Sequence, residues 1–150
     1  MNRVIIITGT RKGIGRYLAE QYLAEGDIVY GCSRRNCDLE HANYHHENLD
    51  VADEERVVAF VRNVYKEQKH IDVLINNAGM ASMNHVLLTP KMTAERVMNT
   101  NFMGSFLFSR ECAKYMMKQR NGRIVNYSTV AVALNLNGEL VYSSSKAAVE

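Results

Sequence analysis

The stretch that decides the fold reads V-I-I-I-T-G-T-R-K-G-I-G and runs from Val4 to Gly15. Its first four residues form a β-branched run without polar alternation, which is typical of a strand buried on both faces. Three glycines follow. Apolar residues then recur at helical spacing, at Ile14, Leu18, Tyr22 and Leu23. Gly26 is a typical residue to end such a helix. The segment therefore predicts a strand, a glycine-rich turn and a helix.

The rest of the chain repeats this alternation. Further strands are expected at 28–30, 43–51, 71–75 and 124–125. Asp53 should cap a helix that buries Val57, Phe60, Val61 and Val64. Residues 93–121 have a helical pattern that is expected to break near Asn101 and to end at Asn121-Gly122. Alternating strands and helices indicate βαβ units. The expected fold is a Rossmann-like, doubly wound parallel sheet in three αβα layers, with five strands present and the C-terminal part missing.

Composition limits the function classes. The 150 residues are 47% hydrophobic and 23% charged, which is ordinary for one globular domain over residues 1–150. Eighteen basic and sixteen acidic side chains give a net charge of +2, too balanced for a nucleic-acid or membrane-surface binder. The first apolar run is too short for a signal peptide or a membrane span. Three cysteines without a C-x-x-C pair predict no disulfide framework and a cytoplasmic location.

The glycine turn is the first candidate site. Glycine lets the backbone approach a pyrophosphate closely, and free N–H groups at a helix start bind anions. The spacing G-x-x-x-G-x-G differs from the commoner G-x-G-x-x-G, and three glycines can also serve the turn alone. We predict a bound dinucleotide, held in this turn by Gly9, Thr10, Arg11, Lys12, Gly13, Ile14 and Gly15.

The end of the second strand indicates which dinucleotide. An acid at this position would hold a ribose 2′-hydroxyl group, whereas an arginine accommodates a 2′-phosphate. The chain reads Ser33-Arg34-Arg35, with no carboxylate before Asp38. Guanidinium groups suit phosphate geometry, and Lys12 adds a nearby cation. NADP(H) is therefore predicted over NAD, with Ser33 and Arg34 as contacts. The alternative is that the two arginines are only a solvated pair.

At this point the chain resembles the short-chain dehydrogenase/reductase family over essentially its whole length. The segment 8–15 matches the family's T-G-x-x-x-G-x-G turn, and Asn76-Asn77-Ala78-Gly79 matches its N-N-A-G motif. Asn101 matches the helix asparagine, and Tyr142 with Lys146 matches Y-x-x-x-K. The resemblance implies a Rossmann fold, a nicotinamide cofactor and reversible hydride transfer between an alcohol and a carbonyl group. The chain loosely resembles the members similar to 3-oxoacyl-carrier-protein reductase, and this resemblance is the basis for any expectation about the substrate.

The resemblance also implies roles for the catalytic candidates. Tyr142 would exchange a proton with the substrate oxygen as general acid or base. Lys146 lies at i+4 on the same helix face, where an ammonium stabilises a phenolate. It would also bind the nicotinamide ribose, as would Tyr142. The family's substrate-binding serine is replaced by Thr129, which keeps a hydroxyl group and adds a methyl group. Ser128 is the fallback for that role.

Six further residues are carried over as cofactor contacts or supports. Asn101 would hold a water molecule in a proton relay behind the lysine. Asn77, Ala78 and Gly79 would line the adenosine side, and Asp50 with Val51 would lie near the adenine. Each has a plain alternative: a mid-helix break for Asn101, a turn after a strand for residues 77–79, and a surface carboxylate for Asp50.

Other interpretations stay open. The domain could be a catalytically idle nucleotide-binding sensor or partner subunit. A zinc module built from Cys32, Cys37, His41, His45 and His46 is considered, but the spacing is not that of a zinc finger; no metal is predicted. The apolar stripe Phe102, Phe106, Ser109, Cys112 or Ala113 and Met116 predicts core packing, and the resemblance adds a homodimer or homotetramer interface. If the natural chain ended at Glu150, four residues past Lys146, an exposed apolar sheet face would be expected.

Overall fold

The structure is a computed structural model that describes residues 2–134 and 136–150. The strands in this part are β1 Val4–Thr8, β2 Ile28–Ser33, β3 Tyr44–Asn48, β4 Val73–Asn76 and β5 Arg123–Asn126. The α-helices are α1 Gly13–Ala24, α2 Glu54–Gln68, α3 Lys91–Met98, α4 Gly104–Gln119, α5 Val130–Leu134 and α6 Leu140–Ala147. None of these helices is long and apolar enough to cross a membrane.

All five strands pair in parallel, in the order β3-β2-β1-β4-β5. Ile6 of β1 lies opposite Tyr30 on one side and Leu74 on the other. The chain runs outward from β1 to β3 and then crosses back to β4. The strand order therefore reverses between β1 and β4, and the carboxyl ends of these strands open a crevice there. The predicted Rossmann-like fold with five parallel strands is confirmed.

The central strand β1 explains the three layers. All five of its residues are buried, because successive side chains point to opposite covered faces. Val4 and Ile6 pack with the apolar faces of α2 and α4, including Phe60 and Phe108. Ile5 and Ile7 pack with Ala19 and Leu23 of α1 and their neighbours. The uninterrupted β-branched run thus feeds two cores, one on each side of the sheet.

The helix ends predicted near β1 are confirmed. Asp53 accepts a hydrogen bond from the Arg56 amide at 3.2 Å and so caps α2. Gly26 follows α1 with a φ of +88°, which suits glycine. The Asp27 amide then donates back to the Tyr22 carbonyl at 3.0 Å and satisfies an end carbonyl of the helix.

The α-helical segment is interrupted at Asn101, as predicted, but by a π-helical turn rather than by a gap in the helix. Helix α3 begins after Pro90, and a π-helical turn over Asn99–Met103 joins it directly to α4. One wide turn keeps the backbone hydrogen-bonded while it changes the direction of the side chains. Helix α4 ends at Gln119 and is capped by Arg120, whose φ is +56°, just before the predicted end at Asn121-Gly122.

The structure also corrects three details of packing. Strand β4 begins at Val73 rather than at residue 71, because the Gln119 side chain takes both backbone groups of Ile71. Ile14 is 60% exposed and does not join the core face of α1. Phe106 is 45% exposed and stacks on Phe102. Cys112 and Met116 of the predicted stripe are buried, and the buried face of α4 also contains Gly104, Leu107, Phe108 and Glu111.

Neighbouring methionines of α4 test this packing. Met116 is 7% exposed and Met117 is 78% exposed. Met116→Ala should lower the free energy of unfolding by about 2–5 kcal/mol, since it leaves a cavity beside the sheet. Met117→Ala, the matched control, should change it by less than about 0.5 kcal/mol. Urea unfolding measures both values. Equal losses in the two variants would contradict the orientation of α4.

Candidate active site

A cleft of about 940 Å³ lies at the carboxyl ends of the central strands. Its walls come from the glycine turn, the ends of β2 and β4, the segment before α2 and the π turn. The lining residues are Gly9, Arg11, Lys12, Gly13, Ile14, Cys32, Ser33, Arg34, Arg35, Leu49, Asp50, Val51, Asn77, Ala78, Gly79 and Thr100. Of the predicted cofactor contacts other than Tyr142 and Lys146, only Thr10 and Gly15 do not line the cleft. Cys32, Leu49, Thr100 and Arg35 also line the cleft and were not predicted as contacts.

Thr10 and Gly15 lie behind the cleft and shape the turn. Thr10 is fully buried, and its amide donates to the Cys32 carbonyl at 3.3 Å. A Cβ atom at Gly15 would lie 2.4 Å from both the Asn77 side-chain nitrogen and the Gly9 carbonyl oxygen. Only glycine therefore lets α1 start this close to the end of β4.

The turn is anchored by Thr8, which sequence analysis did not single out. The Thr8 hydroxyl accepts hydrogen bonds from the amides of Asn77 at 3.0 Å and Ala78 at 2.9 Å. In return, the Asn77 side chain donates to the carbonyls of Thr8 at 2.8 Å and Gly9 at 3.2 Å. These four bonds join the ends of β1 and β4 across the mouth of the crevice. In the sequence, Thr8 is the first residue of the T-G-x-x-x-G-x-G match, between a buried strand and a glycine.

The start of α1 faces an electropositive part of the cleft. No side chain caps this helix at Lys12, and its first turn contains no acidic residue. The partial positive charge of the helix start is thus not neutralised from within the helix. Arg11, Lys12, Arg34 and Arg35 line the cleft, against a single carboxylate, Asp50. This arrangement is suited to a ligand that carries several phosphates.

The first carboxylate after β2 is directed away from the cleft. Asp38 forms an ion pair with Arg16 of α1 and is absent from the cleft lining. Hydrogen bonding to the Arg16 guanidinium holds the pKa of Asp38 below its usual value. Asp38 is therefore engaged elsewhere, and the arginines at the end of β2 are not offset by an acid in the lining.

Asp50 and Val51 form the wall between β3 and α2. The Asp50 carboxylate accepts from the Ala52 amide at 3.0 Å, which fixes the turn into α2. Val51 is 6% exposed and packs on Gly104, where a Cβ atom would lie 2.6 Å from a Val51 methyl group. Gly104 thus lets the π turn and α4 approach this wall closely.

Asn101 connects the N-N-A-G segment to α6. Its side chain is fully buried in the π turn. The carbonyl oxygen accepts from the Met80 amide at 2.8 Å, and the side-chain nitrogen donates to the Met80 carbonyl at 2.9 Å. That nitrogen also donates to the Ser145 hydroxyl at 2.8 Å. The side chain thereby fixes three segments relative to one another.

Lys146 lies at the end of the cleft beside Asn101. It is 7% exposed, and its ammonium donates to the Tyr127 carbonyl at 2.8 Å. Burial lowers the pKa of this ammonium. A Cβ atom at Gly79 would be 3.7 Å from the Lys146 nitrogen and 3.4 Å from the Asn101 side-chain oxygen. Gly79, Asn101 and Lys146 therefore meet at one corner.

Tyr142 and Thr129 lie on the adjoining elements. Tyr142 is half-buried one helical turn before Lys146, and its hydroxyl makes no hydrogen bond to another described residue. The Thr129 hydroxyl accepts from the Ala131 amide at 3.3 Å, and the Ala131 carbonyl accepts from Ser143 of α6 at 3.3 Å. These bonds join the start of α5 to α6. Ser128 is exposed and bonds to Glu150 instead.

The zinc interpretation has no support in the described part of the chain. No group of three or more histidine, cysteine or acidic side chains could hold a metal ion there. His45 stacks on the Tyr30 ring at 4.6 Å between centroids, whereas His46 bonds to the Tyr44 hydroxyl at 2.9 Å. The two histidines thus point to opposite faces of the sheet, as adjacent strand residues do.

A cleft that can bind phosphates, at the point where the strand order of a doubly wound sheet reverses, is typical of dinucleotide-binding α/β domains. Comparison with known proteins narrows this class. The family model described as short chain dehydrogenase matches residues 3–150. The chain is 34% identical to the 3-ketodihydrosphingosine reductase of Bacteroides thetaiotaomicron, covering 99% of this chain and 55% of that protein. It is 30% identical to a 3-oxoacyl-[acyl-carrier-protein] reductase of Staphylococcus aureus, covering 99% of this chain and 65% of the reductase.

Solved structures agree with the sequence matches. A short-chain dehydrogenase from Streptomyces avermitilis superposes with a TM-score of 0.93 at 28% identity, covering 99% of this chain and 57% of that one. ElxO with NADP bound gives a TM-score of 0.93 at 30% identity, covering 99% and 64%. This chain belongs to the short-chain dehydrogenase family, whose members named here are oxidoreductases. It spans between 55% and 65% of the length of the two curated relatives.

The Thr8 anchor can be tested by removing its hydroxyl group. Thr8→Val keeps the shape but leaves the Asn77 and Ala78 amides without their acceptor. The free energy of unfolding should fall by about 1–3 kcal/mol for each amide that water cannot reach. Thr8→Ser keeps the acceptor and should lose less. Chemical denaturation compares the two variants, and a Thr8→Val protein as stable as Thr8→Ser would refute this anchoring role.

Proposed function

We propose that this chain is the cofactor-binding and catalytic part of an NADP(H)-dependent reductase or dehydrogenase acting on a small carbonyl or alcohol substrate. One observation carries the proposal. A buried ammonium, that of Lys146, lies at the end of a cationic cleft and one helical turn from Tyr142, whose hydroxyl is not engaged by another described residue. This arrangement supports a role for Tyr142 as the proton donor beside the nicotinamide end of a bound dinucleotide.

The residues of the cleft fit a dinucleotide. The start of α1, with Arg11, Lys12 and the glycines of the turn, would hold the pyrophosphate. Ser33 and Arg34, with Arg35 beside them, would hold a 2′-phosphate. Asp50 and Val51 would lie near the adenine and residues 77–79 near the adenosine side. Tyr142 and Lys146 would bind the nicotinamide ribose. When bound, the cofactor supplies or accepts the hydride.

The side chains of this chain would supply the remaining chemistry. During reduction, Tyr142 donates a proton to the substrate oxygen; during oxidation it accepts one. The Lys146 ammonium stabilises the phenolate form left on Tyr142 after donation. Thr129 donates a hydrogen bond to the substrate oxygen, which positions the carbonyl group. Asn101 supports the relay that returns a proton, because its buried side chain fixes the helix that carries Lys146.

The relatives support this choice of cofactor and substrate. ElxO has been solved with NADP bound, and the two curated relatives are named as reductases of 3-keto or 3-oxo compounds. An idle sensor or partner subunit is the weaker candidate, because Tyr142, Lys146 and Asn101 are all present. A cytoplasmic location and a homodimer or homotetramer remain predictions.

Replacing the proposed proton donor separates catalysis from binding. Tyr142→Phe should lower turnover by about 10²–10⁴-fold, since it removes one general acid. NADPH binding, followed by nicotinamide fluorescence, should persist. Loss of absorbance at the nicotinamide band with a panel of ketones measures turnover. NADPH binding by the unmodified protein without turnover of any ketone would favour the idle domain.

The choice between the two cofactors depends on Arg34. Arg34→Ala should weaken NADPH binding by about 10–100-fold, because one charge-assisted contact to the 2′-phosphate is lost. NADH binding should change little. Arg62→Ala is the matched control, because Arg62 is exposed on α2 and does not line the cleft. Fluorescence titration gives both dissociation constants, and an equal loss for NADPH and NADH in Arg34→Ala would argue against 2′-phosphate recognition.

A further inference from the structure

A hydrogen-bonded cluster at the end of β2 includes two residues, Tyr44 and His46, that have no part in the proposed chemistry. Its centre is His46 on β3. One ring nitrogen, Nδ1, is 2.9 Å from the Tyr44 hydroxyl. The other, Nε2, is 3.1 Å from the Ser33 hydroxyl and 3.3 Å from the Arg35 carbonyl oxygen. Both nitrogens of the ring are thus engaged, and one of them holds the turn that carries Arg34.

The same cluster reaches the glycine turn. The Tyr44 hydroxyl donates to the Thr10 hydroxyl at 2.8 Å, and Thr10 is fully buried. Tyr44 itself is 8% exposed, and burial raises the pKa of its phenol, so the group keeps its proton. A continuous path of side-chain contacts therefore runs from Thr10 through Tyr44 and His46 to Ser33.

Strand register and one glycine make room for this path. Gly31 of β2 is paired with His46 of β3. A Cβ atom at Gly31 would lie 2.4 Å from the Thr10 hydroxyl oxygen and 2.5 Å from the Tyr44 hydroxyl oxygen. Any larger residue would push the two hydroxyls apart. The contact is thus a specific feature of this part of the sheet.

The cluster also fixes the backbone on which the arginines stand. The Ser33 hydroxyl donates to the Arg35 carbonyl at 2.6 Å, and His46 approaches the same two atoms from the side of β3. Arg34 and Arg35 are exposed, so binding of a phosphate must order long and mobile side chains. A backbone that is already held in one shape reduces that cost.

We propose that His46 is a positioning residue that sets the preference for a 2′-phosphorylated nucleotide, by holding the Ser33–Arg35 turn in register with the glycine turn. This inference rests on the proposed NADP(H) function. His46 is not among the residues that line the cleft. It acts through Ser33 and the Arg35 carbonyl, and it is coupled to Thr10 through Tyr44.

Two probes that differ only in the 2′-phosphate test the proposal: adenosine 2′,5′-bisphosphate and adenosine 5′-monophosphate. Calorimetric titration of the unmodified protein and of His46→Val gives both dissociation constants. The ratio used below is the dissociation constant of the monophosphate divided by that of the bisphosphate. We expect His46→Val to weaken bisphosphate binding by about tenfold, the equivalent of one or two hydrogen bonds. Monophosphate binding should change by less than about twofold, because the contacts to the 5′-phosphate stay in place.

His45→Val is the matched control, since His45 is the adjacent histidine on the same strand but stacks on Tyr30 at the opposite face. It should leave the ratio unchanged. Tyr44→Phe keeps the ring and removes only the hydroxyl, and it should lower the ratio in the same direction as His46→Val. This second variant decides the question if His46→Val does not fold.

The outcomes distinguish the positioning role of His46 from the preference for NADP(H). A loss of affinity for both probes by the same factor would mean that His46 has only a structural role, which overturns the inference and leaves the NADP(H) function standing. An unchanged ratio in both His46→Val and Tyr44→Phe would overturn it as well. If the unmodified protein does not distinguish the two probes, both the inference and the NADP(H) preference are wrong.

Discussion

The reciprocal clamp between Thr8 and Asn77 is the interaction on which the rest of the site depends. A doubly wound sheet must part at the point where its strand order reverses, and here that point lies between β1 and β4. The Thr8 hydroxyl and the Asn77 amide close the base of the opening with four hydrogen bonds. The glycine turn and the N-N-A-G segment consequently become two sides of one cleft.

The positive charge of the cleft depends on the arginines that line it and on the absence of Asp38 from its lining. Arg34 and Arg35 would be less effective for phosphate if a carboxylate stood beside them in the wall. The nearby Asp38 is held by Arg16 on the far side of the turn. Lys146 is treated differently, because it is buried against the Tyr127 carbonyl, where desolvation disfavours its charged form. The two ends of the cleft thus differ: exposed cations at one, a buried cation at the other.

Local patterns in the sequence were sufficient to predict the sheet and most of the residues that line the cleft. The run Val4–Ile7 predicts a strand buried on both faces because all four residues are apolar, so neither face of the strand is polar. Asp53 and Gly26 act within one helical turn and were predicted for the same reason. Ile14 and Phe106 were misjudged, since their exposure depends on the cleft and on distant helices. The π turn at Asn101 could not be predicted, because its cause is the set of contacts with Met80 and Ser145.

That π turn also constrains the number of residues in the segment. A regular helix advances by about 100° per residue, so one residue accommodated in a wide turn rotates everything beyond it by that angle. Here α3 packs on α6, whereas α4 packs on α2. Deleting one residue from Asn99–Met103 would restore regular winding, and both helices could not then keep their partners. Related sequences should therefore contain no gaps in this stretch.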